Sequence, residues 1–344
     1  MAMNKTLKTV VVSFVEQRRY DHLLFRRHFR RMMNCNGIRN TRVQGEENYL
    51  AQWRSLYPLV EPYSYRLFSH FCGPTPDIIP EDILHHEIER HLNPKEYWAV
   101  NEDKNNFARC VGEALLPCAV AWRQAGGSIV FNASQPTFHG PFILKPAVGT
   151  SCGQRIVKLD SMPTEDYLLN YGDDWVLQEA VVQHPLLQRM CSTSVNTLRL
   201  AVYRSVVDGQ SHVTAAVLRI GREGSIVDNA SAGGRYVGID VETGHLQHRT
   251  FSVEGCPVEN WNGIDFSQED ITVPSWEQVK QLALQVSGCV PHQHLLAIDI
   301  AVRADGSPVI IEYNIGGFSS YFYHFTGQTV FGFYLGEVMR YCSK

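Results

Sequence analysis

Three oxygen-bearing side chains near the end of the chain, Asp299, Glu312 and Asn314, have the types and spacing of a magnesium site. Asp299 stands alone in an apolar stretch, and Glu312 and Asn314 stand two residues apart in the next one, so that they share a face if that stretch is a strand. Oxygen ligands are what Mg²⁺ prefers when it also carries substrate phosphates. The alternative is an ordinary strand pair with an incidental acid, which leaves costly unpaired charges in an apolar setting.

Two predicted strands, 295–302 and 308–313, position these side chains. The residues between them, 304–307, include Asp and Gly and have the composition of a turn. A hairpin of this kind sets Asp299 close to Glu312 and Asn314 across the strand pair. Other short apolar stretches predict further strands, at 142–146, 155–159, 175–179, 195–204 and 212–220.

Three helices are also predicted. Asp103 is placed to cap a helix from Lys104 to about Leu116, Ser275 and Gln278 form a capping box, and a last helix covers about 328–341. Strands mixed with helices in this order favour an α+β fold with mixed or antiparallel sheets.

The composition is that of an ordinary globular protein, with 344 residues, 44% hydrophobic and 19% charged. The net charge of -4 gives no reason to expect nucleic acid or an anionic membrane as a partner. No apolar stretch is long enough to cross a bilayer, and the first residues lack the apolar region of a signal peptide. Nine cysteines without a Cys-x-x-Cys pair predict free thiols and a cytoplasmic protein.

The first 33 residues are basic, with interleaved apolar residues that predict one or two amphipathic helices. They form either a solvated face packed on the main domain or a patch for a polyanion such as tRNA, a phosphorylated carrier or a membrane surface. Residues 34–95 contain six prolines and predict loops and short helices instead of a parallel sheet.

A lysine and a small-residue loop resemble a phosphate site. Lys145 stands near the end of strand 142–146, and the loop 147–153 separates it from the next strand. Backbone N–H groups of such a loop can approach phosphate oxygens closely, and Lys145 can neutralise them. The segment is not a Walker A loop, and a plain flexible hairpin is the alternative. The loop residues expected at the phosphates are Gly149, Thr150, Ser151 and Gly153.

Two arginines, Arg199 and Arg219, stand in predicted apolar strands. A buried arginine must be paired or meet an anion, and phosphate suits its planar group. A structural carboxylate is an equally good partner for either residue.

The order of these motifs resembles the ATP-grasp superfamily over residues 97–317. The metal motif reads D-x(12)-E-x-N before two glycines, and residues 218–234 read L-R-I-G-R-E-G-S-I-V-D-N-x(3)-G-G, which is similar to sugar-transfer-associated ATP-grasp proteins. The strand arginines also resemble those of the glutamate ligases that modify ribosomal proteins. The resemblance implies two α+β subdomains that clasp ATP after a mainly helical N-terminal region. The implied divisions are 1–96, 97–181 and 182–344.

The resemblance also assigns roles to residues that are uninformative alone. Lys104 reaches the nucleotide phosphates from the start of its helix. The segment with Gln178, Glu179 and Val181 holds the adenine, and His184 reaches the ribose. The γ-phosphate and an acyl phosphate contact Arg199, Arg219 and Asn229. The implied metal is Mg²⁺, with Mn²⁺ as an alternative.

The implied function is an ATP-dependent carboxylate–amine ligase that forms an acyl phosphate and releases ADP and phosphate, in glycan or small-metabolite modification. Its partners are a small-molecule carboxylate and an amine, with a peptide or carrier as an alternative. The rivals are a phosphotransferase acting on a hydroxyl, a peptide-modifying ligase that forms ester or amide links and docks its peptide near 34–95, and a non-catalytic nucleotide-binding protein. The aromatic segment 318–325 either lines the acceptor pocket or packs in the core.

Overall fold

Two antiparallel sheets form the centre of the molecule. We describe residues 23–134, 137–149 and 153–343 of a computed structural model. The basic residues before residue 23, and Thr150 and Ser151 of the predicted phosphate loop, lie outside these ranges. The smaller sheet has the strand order β2-β1-β5-β3-β4. Its strands are β1 Ala119–Arg123, β2 Val130–Phe131, β3 Phe142–Pro146, β4 Val157–Leu159 and β5 Trp175–Glu179.

The larger sheet has seven strands in the order β10-β9-β8-β7-β6-β13-β14, and a separate pair, β11-β12, lies beside it. The neighbouring strands of both sheets run antiparallel. The strands are β6 Thr197–Arg204, β7 Ser211–Ile220, β8 Arg235–Ile239, β9 Leu246–Phe251, β10 Pro257–Val258, β11 Asn260–Trp261, β12 Ile264–Asp265, β13 Leu295–Val302 and β14 Pro308–Asn314.

Helices come before, between and after the strands, so the predicted helical N-terminal region is confirmed. Residues 23–35 form α1. The other α-helices are α2 Glu46–Arg54, α3 Tyr63–Cys72, α4 Glu81–Ile83, α5 Glu89–Leu92, α6 Trp98–Asn101, α7 Lys104–Val111, α8 Glu165–Tyr171, α9 Pro185–Met190, α10 Trp276–Cys289, α11 Tyr321–Phe325 and α12 Leu335–Cys342, and a π-helical segment, Leu84–Ile88, joins α4 to α5. No helix among the described residues has both the length and the apolar character needed to cross a membrane.

The larger sheet separates two parts of the core. Leu296 and Ile298 of β13 face α10, where Val279 and Val286 recur at helical spacing. The alternate residues of β13 face the other way, toward the helices α1 to α5 and the C-terminal helices. Asp299 lies on this second face, so the helical N-terminal region and the candidate site share one side of the sheet.

A buried asparagine fixes the N-terminal region to the strands of the candidate site. Asn93 is fully buried and follows α5. Its Nδ2 donates to the carbonyl oxygens of Leu295 and Ile315, both at 2.6 Å. Its Oδ1 accepts from the backbone N–H groups of His294 and Leu295, both at 3.0 Å. One side chain therefore joins the start of β13 to the end of β14.

We expect Asn93→Ala to lower the free energy of unfolding by about 2–4 kcal/mol, because four backbone groups lose a buried partner. Urea denaturation measures the change. Asn170→Ala is the matched control, since Asn170 is exposed and donates only to the carbonyl of Asp166 one turn away. Equal stability of the two variants would contradict the role of Asn93.

Three predicted helices differ from the structure. Asp103 caps α7 by accepting from the N–H of Asn105 at 2.9 Å, as predicted, but the helix stops at Val111 because Gly112 has φ 89°. The capping box is wrong: Ser275 has φ 55° and makes no side-chain cap. The last helix starts later than predicted, with a 3₁₀ turn before α12.

The cysteines are not all free, contrary to the prediction. Cys35, at the end of α1, and Cys256, before β10, form a disulfide with their Cα atoms 5.7 Å apart. Among the described residues, six other cysteines form no disulfide. The sequence separation of 221 residues explains why no local pattern revealed the pair.

Candidate active site

The predicted hairpin forms, and its register places three charged side chains side by side. In the antiparallel ladder Asp299 lies opposite Glu312 on β14 and opposite Arg199 on β6. Directly opposed residues share a face of a sheet. Asn314 pairs with Ala297, two residues from Asp299, and therefore joins the same face.

Both predicted arginines are bound to carboxylates. Arg199 donates to Asp299 through two parallel hydrogen bonds, Nε to Oδ1 at 2.8 Å and Nη2 to Oδ2 at 2.7 Å. Arg219 donates to Asp299 Oδ2 at 3.0 Å and to Asp228 Oδ1 at 2.6 Å. Asp228 also accepts from the backbone N–H and the hydroxyl of Thr197. Within the chain, both arginines therefore have carboxylate partners.

The two aspartates of this network have opposite pKa shifts. Burial alone would raise the pKa of Asp299, but the charges and hydrogen bonds of Arg199 and Arg219 outweigh it and lower the pKa. For Asp228, burial has the largest effect and raises its pKa in spite of Arg219 and Thr197. Asp299 is therefore held ionised between two arginines, with its side chain only 2% exposed.

Two lysines approach Glu312 from the other side of the cleft. Lys104 is the first residue of α7, and its Nζ lies 3.5 Å from Glu312 Oε2. Lys145, in β3, donates from Nζ to the carbonyl oxygen of Ile311 at 3.3 Å. Helix α7 and the smaller sheet thus each direct a lysine toward β14.

The pKa of Lys145 lies well below the ordinary value for a lysine. Burial, and after it the charge of Lys104, lower the pKa of Lys145 to about 8 against the opposing charge of Glu312. A bound polyphosphate would favour the protonated amine and raise that pKa again. Binding of such a ligand is then coupled to proton uptake above about pH 8.

We expect the affinity for ATP to fall as the pH rises from about 7 to 9, because Lys145, the lysine predicted to contact the phosphates, loses its proton. Lys145→Arg should flatten this dependence, since arginine stays charged. Calorimetric titration of the wild type and the variant with Mg-ATP measures both curves. Identical pH dependence in the two proteins would show that another group is responsible.

Most of the predicted site residues line one cavity, which has a volume of about 350 Å³. Its apolar walls include Ile143 of the smaller sheet and Ile311 of the larger sheet, which suit a planar base. The predicted residues that line it are Lys104, Lys145, Gly153, Gln178, Glu179, Val181, Arg199, Arg219, Asn229, Asp299, Glu312 and Asn314.

Residues 168–322 match the model of the sugar-transfer associated ATP-grasp family. The fold is that of the ATP-grasp superfamily. The matched residues cover less than half of the chain. They include both arginines, Asn229 and the three predicted metal ligands, whereas Lys104 and Lys145 precede them. A search among curated proteins returned no match.

Three solved structures illustrate the likeness. The L-amino acid ligase from Bacillus licheniformis is 12% identical with a TM-score of 0.44, over 70% of this chain and 48% of that chain. The ATP-grasp ligase PsnB, complexed with its precursor peptide PsnA2 and AMPPNP, is 14% identical with a TM-score of 0.42, over 88% and 77%. The N5-carboxyaminoimidazole synthetase from Staphylococcus aureus, complexed with ADP, is 10% identical with a TM-score of 0.40, over 67% and 50%. The chain spans about half the length of the first of these.

Two predicted nucleotide contacts lie elsewhere in this ATP-grasp fold. His184 caps α9, where its Nδ1 accepts from the N–H of Leu186 at 3.2 Å, and it does not line the cavity. Gly149 is described, with φ 68°, but it also does not line the cavity. Glu179 does line the cavity, but its carboxylate accepts from the backbone N–H of His139 at 2.7 Å. Gln178 is the side chain on the same face of the smaller sheet as Lys145 and Val176.

The three predicted metal ligands fit Mg²⁺ by donor type. No group of three or more His, Cys, Asp or Glu side chains in the described part of the chain is arranged for a metal, and the predicted set has two carboxylates and one amide. Glu312 is 31% exposed on its side chain and faces the cavity. Asp299 is already bound by two arginines, although its Oδ1 accepts only one hydrogen bond from the described residues and keeps a lone pair. Glu312 and Asn314 are therefore the more accessible donors.

Sequence reasoning missed one acid of the site, Asp228. Asp228 precedes Asn229, and two buried arginines facing one predicted acid could have indicated that a second acid was needed. Phe318, Tyr321 and Phe322 line the cavity beyond the Glu-x-Asn motif. The loop reaches them through Gly316, where a Cβ would lie 2.6 Å from the ring of Trp98.

Proposed function

We propose that this protein is an ATP-dependent carboxylate–amine ligase that acts through an acyl phosphate and releases ADP and phosphate. The observation that carries the proposal is the convergence of Lys104, Lys145, Arg199 and Arg219 on one cavity with Glu312 and Asn314. Cations and oxygen donors in such a cleft suit a nucleotide triphosphate with its metal. Mg²⁺ held by Asp299, Glu312 and Asn314 would neutralise charge on the phosphates.

In this proposal the protein positions and stabilises charge instead of exchanging protons. A carboxylate oxygen of the substrate attacks the γ-phosphorus, the bond to ADP breaks, and an acyl phosphate forms. The amine nitrogen then attacks the acyl carbon, the bond to phosphate breaks, and the proton lost from nitrogen leaves with solvent. The arginines and lysines stabilise the negative charge that moves between these groups.

The state of the cavity carboxylates favours a ligase over a phosphotransferase. A hydroxyl acceptor needs a base to receive its proton, and in kinases an aspartate does this. Both aspartates of this cavity, Asp228 and Asp299, are bound to arginine. No histidine or cysteine lines the cavity among the described residues. An ionised carboxylate substrate has no proton to lose, so the phosphoryl-transfer step of a ligase requires no such base.

The test is ATP consumption with Mg²⁺ across pools of carboxylates and amines, with ADP, AMP and phosphate measured separately. ADP and free phosphate that depend on both pools, and that are lost in Glu312→Gln, would support the ligase. ADP with the phosphate retained on one substrate would indicate a phosphotransferase. AMP as the product would contradict the acyl phosphate.

A further inference from the structure

A second cavity adjoins the active site. It has a volume of about 780 Å³ and lies between α1, the Glu81–Ile88 helical segment and the loop around Ser319. Ser319 and Tyr321 line both this cavity and the one that contains Glu312. We call it the outer cavity. Its helical walls lie outside the residues that match the family model.

A buried carboxylate faces the outer cavity next to the active-site loop. Glu81 is 3% exposed, and its Oε2 accepts from the N–H of Ser320 at 3.2 Å and from its hydroxyl at 2.5 Å. Its Oε1 accepts no hydrogen bond from the described residues, and it contacts His85 Nε2 at 3.5 Å. One oxygen of Glu81 holds the loop, and the other is buried and contacts His85, in a residue that lines the outer cavity.

The charges around Glu81 do not balance. His85 also contacts Glu89 Oε2 through Nδ1 at 2.8 Å, and Glu89 Oε1 accepts from the backbone N–H of Phe318 at 2.5 Å. Burial opposes a charge on His85, but its contacts with both glutamates outweigh burial and raise the pKa of His85 to about 10. Burial lowers the pKa of His28, which leaves that ring neutral. Among the described residues, two buried carboxylates therefore share one cation, and a further cation would be stabilised there.

The rim of the outer cavity has the opposite charge. Arg27 and Arg31 are exposed, line the cavity and stand four residues apart on one face of α1. Arg31 lies 3.6 Å from Glu254, and its side chain is 68% exposed. Phe29 and Met32 are buried and add apolar surface to the wall of this cavity.

We propose that the outer cavity binds the amine substrate as an α-amino acid with an apolar side chain. Its ammonium group meets Glu81 beside the loop of the active site, and its carboxylate meets Arg27 and Arg31. The apolar side chain packs on Phe29 and Met32. This inference rests on the proposed function, because it assigns the second substrate of that reaction.

Binding of the standard L-amino acids to the full chain, measured by calorimetry with and without Mg-ADP, tests the assignment without requiring turnover. We expect saturable binding of apolar amino acids such as L-phenylalanine, and none of phenethylamine, which lacks the carboxylate. The double variant Arg27→Ala, Arg31→Ala and the single variant Glu81→Gln should each weaken binding by about tenfold or more. Arg30→Ala is the matched control, since Arg30 is exposed on the same helix and does not line the cavity.

Two results would overturn the assignment: no binding of any standard L-amino acid to the wild type, or binding that the Arg27, Arg31 and Glu81 variants leave unchanged. Retained affinity of the rim variants for Mg-ADP shows that these proteins are folded. Failure here leaves the ligase test intact, because that test scores ADP and phosphate from pools that also contain amines without a carboxylate.

Discussion

Replacing Glu312 with glutamine should reduce ADP formation by at least about 100-fold, the scale seen when one charge-stabilising group is lost from a reacting centre. Glu312 combines the position and the exposure that a metal ligand needs, since it faces the cavity between Lys104 and the strand of Asp299. The amide keeps the shape and removes the negative charge. The rate is followed as ADP release over a series of Mg²⁺ concentrations.

Glu277→Gln is the control for this variant. Glu277 is exposed on α10 on the opposite side of the sheet, where it pairs with Lys280. We expect it to leave the rate unchanged. ADP formation at the wild-type rate by the Glu312 variant would contradict the assignment of Glu312 as a metal ligand.

The second large effect is on stability. Asp299→Asn should lower the free energy of unfolding by about 3–5 kcal/mol, because it leaves the guanidinium groups of Arg199 and Arg219 without their shared buried partner. Urea unfolding followed by fluorescence measures the loss. Glu312→Gln serves as the comparison, with an expected change within about 1 kcal/mol, because its side chain is partly exposed.

This pair of variants separates two roles that the sequence assigns to one motif. Asp299 and Glu312 are both predicted metal ligands, but only Asp299 is part of the buried arginine network. If Asp299→Asn is as stable as Glu312→Gln, the buried arginine network does not contribute the predicted amount, about 3–5 kcal/mol, to the free energy of unfolding.

The parts of the fold that the sequence predicts well are those with a simple hydrophobic pattern. The strands at 142–146, 175–179 and 295–302 have the predicted bounds, since each is an apolar stretch between breakers. β8 and β9 were not predicted, because Arg235, Gly238 and a run of polar residues interrupt their apolar pattern. Their extended conformation depends on pairing with the neighbouring strands. The disulfide, the register and the helical packing depend on contacts far apart in sequence.

The candidate site could also be predicted only in part. Residue types and spacing predicted that Asp299, Glu312 and Asn314 share one face of the sheet, because the period of a strand determines which residues share a face. Residue types and spacing did not decide whether Arg199 contacts a phosphate or a carboxylate, because an arginine in an apolar strand is compatible with either partner. In the aromatic segment 318–325, Phe322 lines the cavity and Phe325 packs in the core, and the role as an acceptor pocket stays a prediction.

The most direct test of the acyl phosphate uses a carboxylate substrate labelled with oxygen-18, taken from the pool that supports ATP consumption. If the carboxylate attacks the γ-phosphorus, one of its oxygens leaves with the released phosphate, and mass spectrometry should find the label there. Unlabelled phosphate, formed together with ADP and the amide, would contradict the proposed mechanism.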